Sequence, residues 1–405
     1  MAQAAIGLKQ TGAQRFIMYY DPPDGGVVGR TVTAQLLVSP NGDNTNGKTW
    51  ATAYNTIQTA LDAASTDADD CTLISISPHA TYYDINTTGD PTWTGNYILS
   101  GTHRLWAAIK NTHNSATSVM KFTGKVSLMD LAIFQTAAID GVIITSSGFR
   151  IRHCGFNSES LTGAATSIYI DGSAALTRGG IIDDIQLVGE NEFTKGLYIN
   201  RSKINEFRHM HMHKCRTGIQ IAHAESDYNV FTNLDIGDCD HASGVAIDID
   251  AGNEQHFKDV LLHHNTYNVL DAVGDAMWVN IFGQFDIAVL PDDITAGIAV
   301  DTGDGANTWS GSLVTVYTNA GDSPFRIVGA NMDCGTTEFY RMQLTTDDGA
   351  TYFDDLMFYG NKREGVAAPS GTEHIFNKGT VIKARSKSFS AGVDTLDVWL
   401  EIQEI

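Results

Sequence analysis

Three segments of this chain carry one apolar spacing without gaps. Phe207, Met210, Met212 and Cys215 are followed by Phe231, Leu234, Ile236 and Cys239, then by Phe257, Val260, Leu262 and Asn265. Ile182, Ile185, Leu187 and Glu190 keep the spacing one unit earlier, and Ile151 with Cys154 fit the end of a still earlier unit. The first positions lie 25, 24 and 26 residues apart. Between them recurs a second element, Gly196-Leu-Tyr-Ile, Gly218-Ile-Gln-Ile and Gly244-Val-Ala-Ile, whose alternation is that of a half-buried strand. Two short strands per unit, with no helical stretch between them, do not make a βαβ rhythm. A unit this small cannot bury its own apolar face, so it must stack on its neighbours.

Over Gly141–Thr266 the repeat resembles the right-handed parallel β-helix of the pectate-lyase-like superfamily, which includes polysaccharide lyases, glycoside hydrolases and phage tailspikes. Each coil of such a stack climbs about 4.8 Å, so equivalent residues form columns along the axis. The inward columns are predicted as Phe207, Phe231 and Phe257; Met210, Leu234 and Val260; and Leu197, Ile219 and Val245. Cys154, Cys215 and Cys239 are placed in a further inward-turning column with Glu190 and Asn265. They read as a ladder of buried thiols. A bridge between Cys215 and Cys239 is the alternative, because neighbouring coils bring Cα atoms within disulfide range.

Composition suits an all-β, turn-rich chain: 405 residues with 39 Gly and few charges. Five Cys, widely spaced, do not form a disulfide framework. No apolar run is long enough to span a membrane, so no membrane insertion is expected. Met1-Ala-Gln-Ala-Ala-Ile-Gly7 lacks a basic region followed by an apolar core. That favours a protein assembled inside a cell, in host cytoplasm, as virion proteins are, and disfavours a cell-surface adhesin. A net charge of -21 excludes nucleic acid as a partner, since phosphates need a basic face. It also weighs against anionic polyuronates, leaving neutral glycans or no soluble ligand.

Three regions are expected. Residues 1–38 read as an N-terminal arm or attachment segment, with strands Arg15–Tyr20 and Thr31–Val38 around the turn Asp21–Gly26. Residues 39–312 read as the β-helix. It opens with a loop and then a capping helix over 50–64, on which Trp50, Ala53, Tyr54, Ile57, Ala60, Leu61 and Ala64 form one stripe with Thr49 as its cap. Leu73–Ser77 follows as the first β-helix strand. The order of loop, helix, Ile57-Gln-Thr-Ala-Leu61, strand and Pro78-x-x-x-Tyr82 is similar to the opening module of many β-helix proteins, with Ala80 where they usually have Gly. Runs within Met277–Val300 read as the last coils, and Ser158–Ser167 as the most obvious insertion. Residues 313–405 read as an antiparallel β-sandwich, with Leu396, Val398, Leu400 and Ile402 on the inner face of its last strand.

Chemistry is sought on outward positions. Arg150, Gln186, His211 and Asp235 are aligned in one column, and Arg152, His213 and His263 in another. Three imidazoles of His209-Met-His-Met-His213 share a strand face. Alternate strand residues sit nearly 7 Å apart, about twice what a metal shell allows, so no metal is expected and the column reads as solvated or subunit-facing. Asp235 with Asp238 could supply the paired carboxylates of glycoside hydrolysis, as could Asp238 with Asp240 or Asp248 with Asp250. The pattern set of polygalacturonases is missing apart from Asp183-Asp184, and no Arg stands beside a carboxylate cluster as in pectate lyases. The resemblance therefore covers the fold and not an active site.

The reading is a virion structural protein (spike, fibre or capsid-decorating), glycan- or receptor-facing, without cofactor, and partnered by itself and other virion proteins. A homotrimer is implied by the tailspike resemblance alone. The alternative is a polysaccharide hydrolase or lyase acting through Asp235 and Asp238. Binding candidates are Arg150, His211, His213, His263 and, in the sandwich, Lys383, Arg385, Lys387 and Trp399. The three basic residues alternate along one strand and would pair with acidic groups of a neighbouring subunit. Trp399, on the polar-patterned face, would anchor a contact or stack on a sugar. An ordinary solvated strand is the plainer reading of that row.

Overall fold

The inward spacing of three, two and three residues has a backbone cause. In the computed structural model, His209 and Lys214 stand at φ 51 and 57, between the buried pairs Phe207–Met210 and Met212–Cys215. Asn233 and Asp238 repeat this one coil later at φ 54 and 56, and Asp259 and His264 the coil after at φ 56 and 53. A left-handed residue turns the strand by a corner, so the side chain three positions on points inward again. Asn, Asp and His tolerate this region best among non-glycine residues, and they fill five of these six corners.

The structure describes residues 7–11, 15–19, 31–67, 69–102, 107–135, 138–158, 165–283, 287–291, 297–333, 338–359, 366–367, 375–390 and 392–405. They divide into two compact units, Met1–Tyr267 and Asn268–Ile405. The first is a parallel β-helix. One unbroken parallel ladder runs from Ala34–Val38 through Thr72–Ile76, Tyr97–Ser100, Val126–Met129, Arg150–Ser158, Ile181–Asn200, Glu206–Ile221 and Val230–Gly237 to His256–His263. Phe207, Phe231 and Phe257 are fully buried and stacked, with centroids 4.7 and 4.5 Å apart. At a turn, Asn205, Asn229 and Gln255 form a second, polar ladder inside the coil. Asn205 Nδ2 donates to Asn229 Oδ1 at 2.8 Å, and Asn229 Nδ2 to Gln255 Oε1 at 3.2 Å.

Several expectations are corrected. Ile151 pairs with Ile182 and Cys154 with Ile185, so Cys154 shares the column of Met210 and Leu234 instead of that of Cys215 and Cys239. Both corners of a coil impose the same three-residue step, so a lone Ile-x-x-Cys pair fits either. Leu197 and Ile219 stack on Ile247 and not on Val245, which pairs with Thr217. A slip of two leaves the same faces inward and is silent in the apolar pattern. Cys215 and Cys239 are free thiols and buried, as is Cys154, so no Cys215–Cys239 bridge is present. Burial pushes the Cys154 and Cys239 thiols up to about 12, which makes them inert.

The helix spans Ile57–Ala63 with Thr56 as its cap, accepting from the Thr59 N–H, and buries Ile57, Ala60 and Leu61. It does not reach back to Trp50. The backbone of 51–54 is already engaged: Ala51 and Ala53 carbonyls accept from Asp43 and Asn44, and Tyr54 N–H donates to Leu37. The residues 1–38 do not form one piece either. Gly7–Thr11, Arg15–Tyr19 and Thr31–Val32 make a small antiparallel sheet, whereas Ala34–Val38 is the first β-helix strand. The turn Asp21–Gly26, and residues 159–164 of the expected insertion, lie outside the described residues.

From Ile287 onward the second unit is an antiparallel sandwich. Val314–Thr318, Phe339–Thr345, Asp354–Tyr359 and Val381–Ser388 form one sheet, and Phe325–Asp333 with Thr395–Glu404 centre the other. Leu396, Val398, Leu400 and Ile402 are buried between them, as read. The boundary at 312/313 is too late. Ile287–Leu290 and Ile298–Asp301 pair antiparallel with Thr395–Glu404 and belong to the sandwich. Alternation alone does not tell a coil strand from a sandwich strand.

Candidate functional site

Two outward faces of the β-helix gather polar groups. The first is built on the strand row between the left-handed corners. His211 pairs with Asp235, and His213 with Gly237, which in turn pairs with His263. Asp235 is the hub: Oδ2 lies 2.9 Å from His211 Nδ1, and Oδ1 lies 3.0 Å from His263 Nε2. His213 Nδ1 meets Asp238 Oδ2 at 3.1 Å. The expectation that imidazoles along one strand stay apart fails, since the rings of His211 and His213 lean to 4.2 Å between centroids. Backbone spacing governs Cα positions, but two χ angles let the ring ends converge.

Arg150 does not join this column. It pairs with Ile181, and its guanidinium donates to the Phe149 and Gly179 carbonyls at 2.9 and 2.8 Å. Arg152 likewise stands beside Asp183 and not beside His213. Asp235 and Asp238 are both engaged by imidazoles. The hydrogen bond from His213 holds the Asp238 carboxyl below its ordinary value, the opposite of what a general acid needs.

The second face lies on the other strand row; the sequence offers Asp248 with Asp250 as a carboxylate pair, but Tyr169, Tyr198 and Gln220 were missed. Tyr169, Tyr198, Gln220 and Asp248 are paired coil on coil. The tyrosine rings lie 5.0 Å apart, tilted by 44°, and Lys195 Nζ sits 3.8 Å over the Tyr198 ring. Gln220 Nε2 donates to Asp248 at 3.1 Å and to Asp250 at 2.6 Å. Burial, reinforced by Asp250, pushes the Asp248 carboxyl up to about 6. Burial lowers the Lys195 ammonium, against the pull of Asp250, Asp248 and Asp140. The signal was present in Gly196-Leu-Tyr-Ile and Gly218-Ile-Gln-Ile. The two-residue slip at Gly244 put Ala246 where Asp248 belongs and hid it.

A pH dependence follows. Unfolded Asp248 releases its proton near pH 4 and folded Asp248 near pH 6, so between them the native state binds more protons. Its contribution to stability is therefore full below about pH 4 and lost as pH rises through about 6. Asp248→Asn should flatten that part of the profile and gain on the order of 1 kcal/mol at pH 7, a figure discounted because the carboxyl is only partly buried. Urea melts of both proteins at pH 4 and pH 7 check this. An unchanged difference between the two pH values would sink it.

In the sandwich, Lys383, Arg385 and Lys387 point one way, but within their own chain they are already partnered. Lys383 ion-pairs with Asp348, Arg385 Nη2 donates to Gln343 at 2.8 Å, and Lys387 Nζ donates to Asn307 at 2.6 Å. Arg385 also lies 4.0 Å over the Tyr352 ring. Trp399 is 3% exposed, so its indole is not presented to a sugar or a partner. The polar pattern of its strand reported the side of the sheet, not whether that side was covered.

These features define a parallel β-helix protein with two polar faces and a terminal antiparallel sandwich. No family model and no curated protein matches the sequence. Solved structures similar to it include a pectin methylesterase in complex with hexasaccharide VII, at 14% identity and TM-score 0.38 over 63% of this chain and 81% of that one. Pantoea stewartii WceF, a glycan biofilm modifying enzyme with a bacteriophage tailspike-like parallel β-helix fold, is similar at 9% identity and TM-score 0.35, over 80% of this chain and 56% of that one. The enzymatically active domain of bacteriophage CBA120 tailspike protein 4 is similar at 9% identity and TM-score 0.32, over 96% and 72%. At such identities the likeness is one of fold alone. Among the described residues no helix is long and apolar enough to cross a membrane.

Proposed function

We propose that this chain is a virion structural protein of the tailspike type (spike, fibre or capsid decoration) whose β-helix presents a glycan-facing surface, and that it acts as a homotrimer. The outward row Tyr169, Tyr198, Gln220 and Asp248 carries the glycan-facing part. Tyrosine rings offer apolar faces to sugar C–H groups, while Gln220, Asp248 and Asp250 offer hydrogen-bonding atoms to hydroxyls. A row repeated coil by coil suits a polymer that repeats as well. The net charge of -21 directs the reading to neutral glycans. The virion assignment and the trimer rest on the resemblance of the repeat to the β-helix of tailspikes.

The test is binding to a panel of bacterial capsular and lipopolysaccharide glycans, with mass measured by light scattering. Tyr198→Ala should weaken binding of any bound glycan about tenfold, the scale of one lost aromatic contact. Equal binding by the variant, or no glycan bound at all, removes the glycan-facing reading, and a monomeric mass removes the trimer. The second reading is a polysaccharide hydrolase or lyase. It is favoured by the raised Asp248 carboxyl beside Asp250, since glycoside hydrolysis needs one carboxyl kept protonated near neutral pH. New reducing ends that Asp248→Asn abolishes would establish it.

A further inference from the structure

We propose that His211, His213, His263 and Asp235 form a binding site for one divalent transition-metal ion of the zinc type, with Asp238 positioning His213. The site lies on a different strand row from Tyr198 and Asp248 and is independent of the glycan reading.

Donor geometry comes first. Ligand bonds of 2.0–2.1 Å place tetrahedral donors about 3.4 Å from one another. From Asp235 Oδ2, His211 Nδ1 is at 2.9 Å and His213 Nε2 at 4.0 Å, and the donor atoms of these three residues lie within 4.8 Å of one another; His263 Nε2 is 3.0 Å from the other oxygen, Oδ1. Three imidazoles and one carboxylate suit zinc and its neighbours in the first transition row, not calcium or magnesium, which take all-oxygen shells.

Two further observations point to a ligand. His213 Nδ1 is held by Asp238 at 3.1 Å, which leaves Nε2 as the lone-pair nitrogen. That atom is shielded from solvent and has no hydrogen-bond partner. A carboxylate on the far nitrogen is the usual way a ligating histidine is oriented. The second observation is Gly237, which stands in register between His213 and His263. A Cβ on Gly237 would fall inside the His263 imidazole. The missing side chain is what lets His263 lie across this coil and reach Asp235, while its Nδ1 faces His264 Nδ1 at 3.3 Å. His211 is 46% exposed and His213 17%, so the set has an open mouth and a closed floor.

The experiment titrates ZnCl2 into the full chain after dialysis against EDTA, by calorimetry, with melting temperatures taken in EDTA and in excess zinc. One equivalent should bind per chain, and zinc should raise the melting temperature. His211→Ala and Gly237→Ala should each weaken binding at least about tenfold, and Asp238→Asn about 10–100-fold. His241→Ala, outside the cluster, should bind as the parent does. Melting in EDTA shows whether each variant is folded, and His211→Ala removes only an exposed ring. No stoichiometric zinc, or undiminished binding by His211→Ala and Gly237→Ala, overturns the proposal and leaves the cluster as a hydrogen-bonded His–Asp array. Glycan binding that persists in EDTA would leave the other reading untouched.

Discussion

Replacing Phe231 by alanine is expected to cost about 3–5 kcal/mol of unfolding free energy. Its ring is stacked between Phe207 and Phe257, with interplanar angles of 11° and 6° and no solvent exposure. The spread of measured costs for such a change reflects how far a site can collapse. Here the flanking rings belong to coils whose separation is fixed by backbone ladders on either side of the cavity, so collapse is prevented. Phe231→Leu, which keeps most of the volume, should lose distinctly less. Urea unfolding followed by circular dichroism measures both. A cost near 1 kcal/mol for the alanine variant would mean that the coils can close, and that the ladder is not the rigid element described.

Asn229→Ala should be at least as damaging, for a different reason. The side chain removes no apolar surface from water, yet its Oδ1 accepts from both the backbone N–H and Nδ2 of Asn205, at 3.2 and 2.8 Å. Its Nδ2 donates to the Ser202 carbonyl and to Gln255. Alanine would strand two buried donors of the coil before and an acceptor of the coil after. At about 1–3 kcal/mol for each of these three groups the loss comes to roughly 3–9 kcal/mol. Hydrogen exchange would show it as lost protection at Asn205 together with a lower global stability. Variant and parent with equal protection there would mean that water replaces the amide, and the ladder would then be dispensable.

How much of this was legible depended on which physical rule left a trace. The β-helix was legible because the left-handed corners force a fixed three-two-three step, and three coils repeat it in full. What was lost was phase. The step occurs twice per coil, so Ile151 and Cys154 were assigned to the wrong corner and Arg150 was carried into a column it does not share. Strand alternation has period two, so Val245 and Ile247 were interchangeable, and Asp248, named only as half of a carboxylate pair, was not aligned with Gln220. The helix start was misplaced because Trp50, Ala53 and Tyr54 have helical spacing, while the backbone of Ala53 and Tyr54 is claimed by the preceding loop and strand. The His–Asp cluster was seen as two columns but not as a convergence, because ring reach and the room that Gly237 leaves for the His263 ring are written in three dimensions only.

The corner residues also set where this chain can change length. Between the two corners of a coil the count is fixed: one residue more or fewer would turn the whole inward row outward. After the second corner that constraint lapses, and the chain already differs there from coil to coil. Thr217 follows Cys215 by two residues, whereas its partner Val245 follows Cys239 by six. Extra segments can accumulate at that point without touching the buried columns. Natural variants of this protein should therefore differ most in length immediately after the Cys215 and Cys239 positions. A surface grown there could diversify quickly while the scaffold beneath it stays the same.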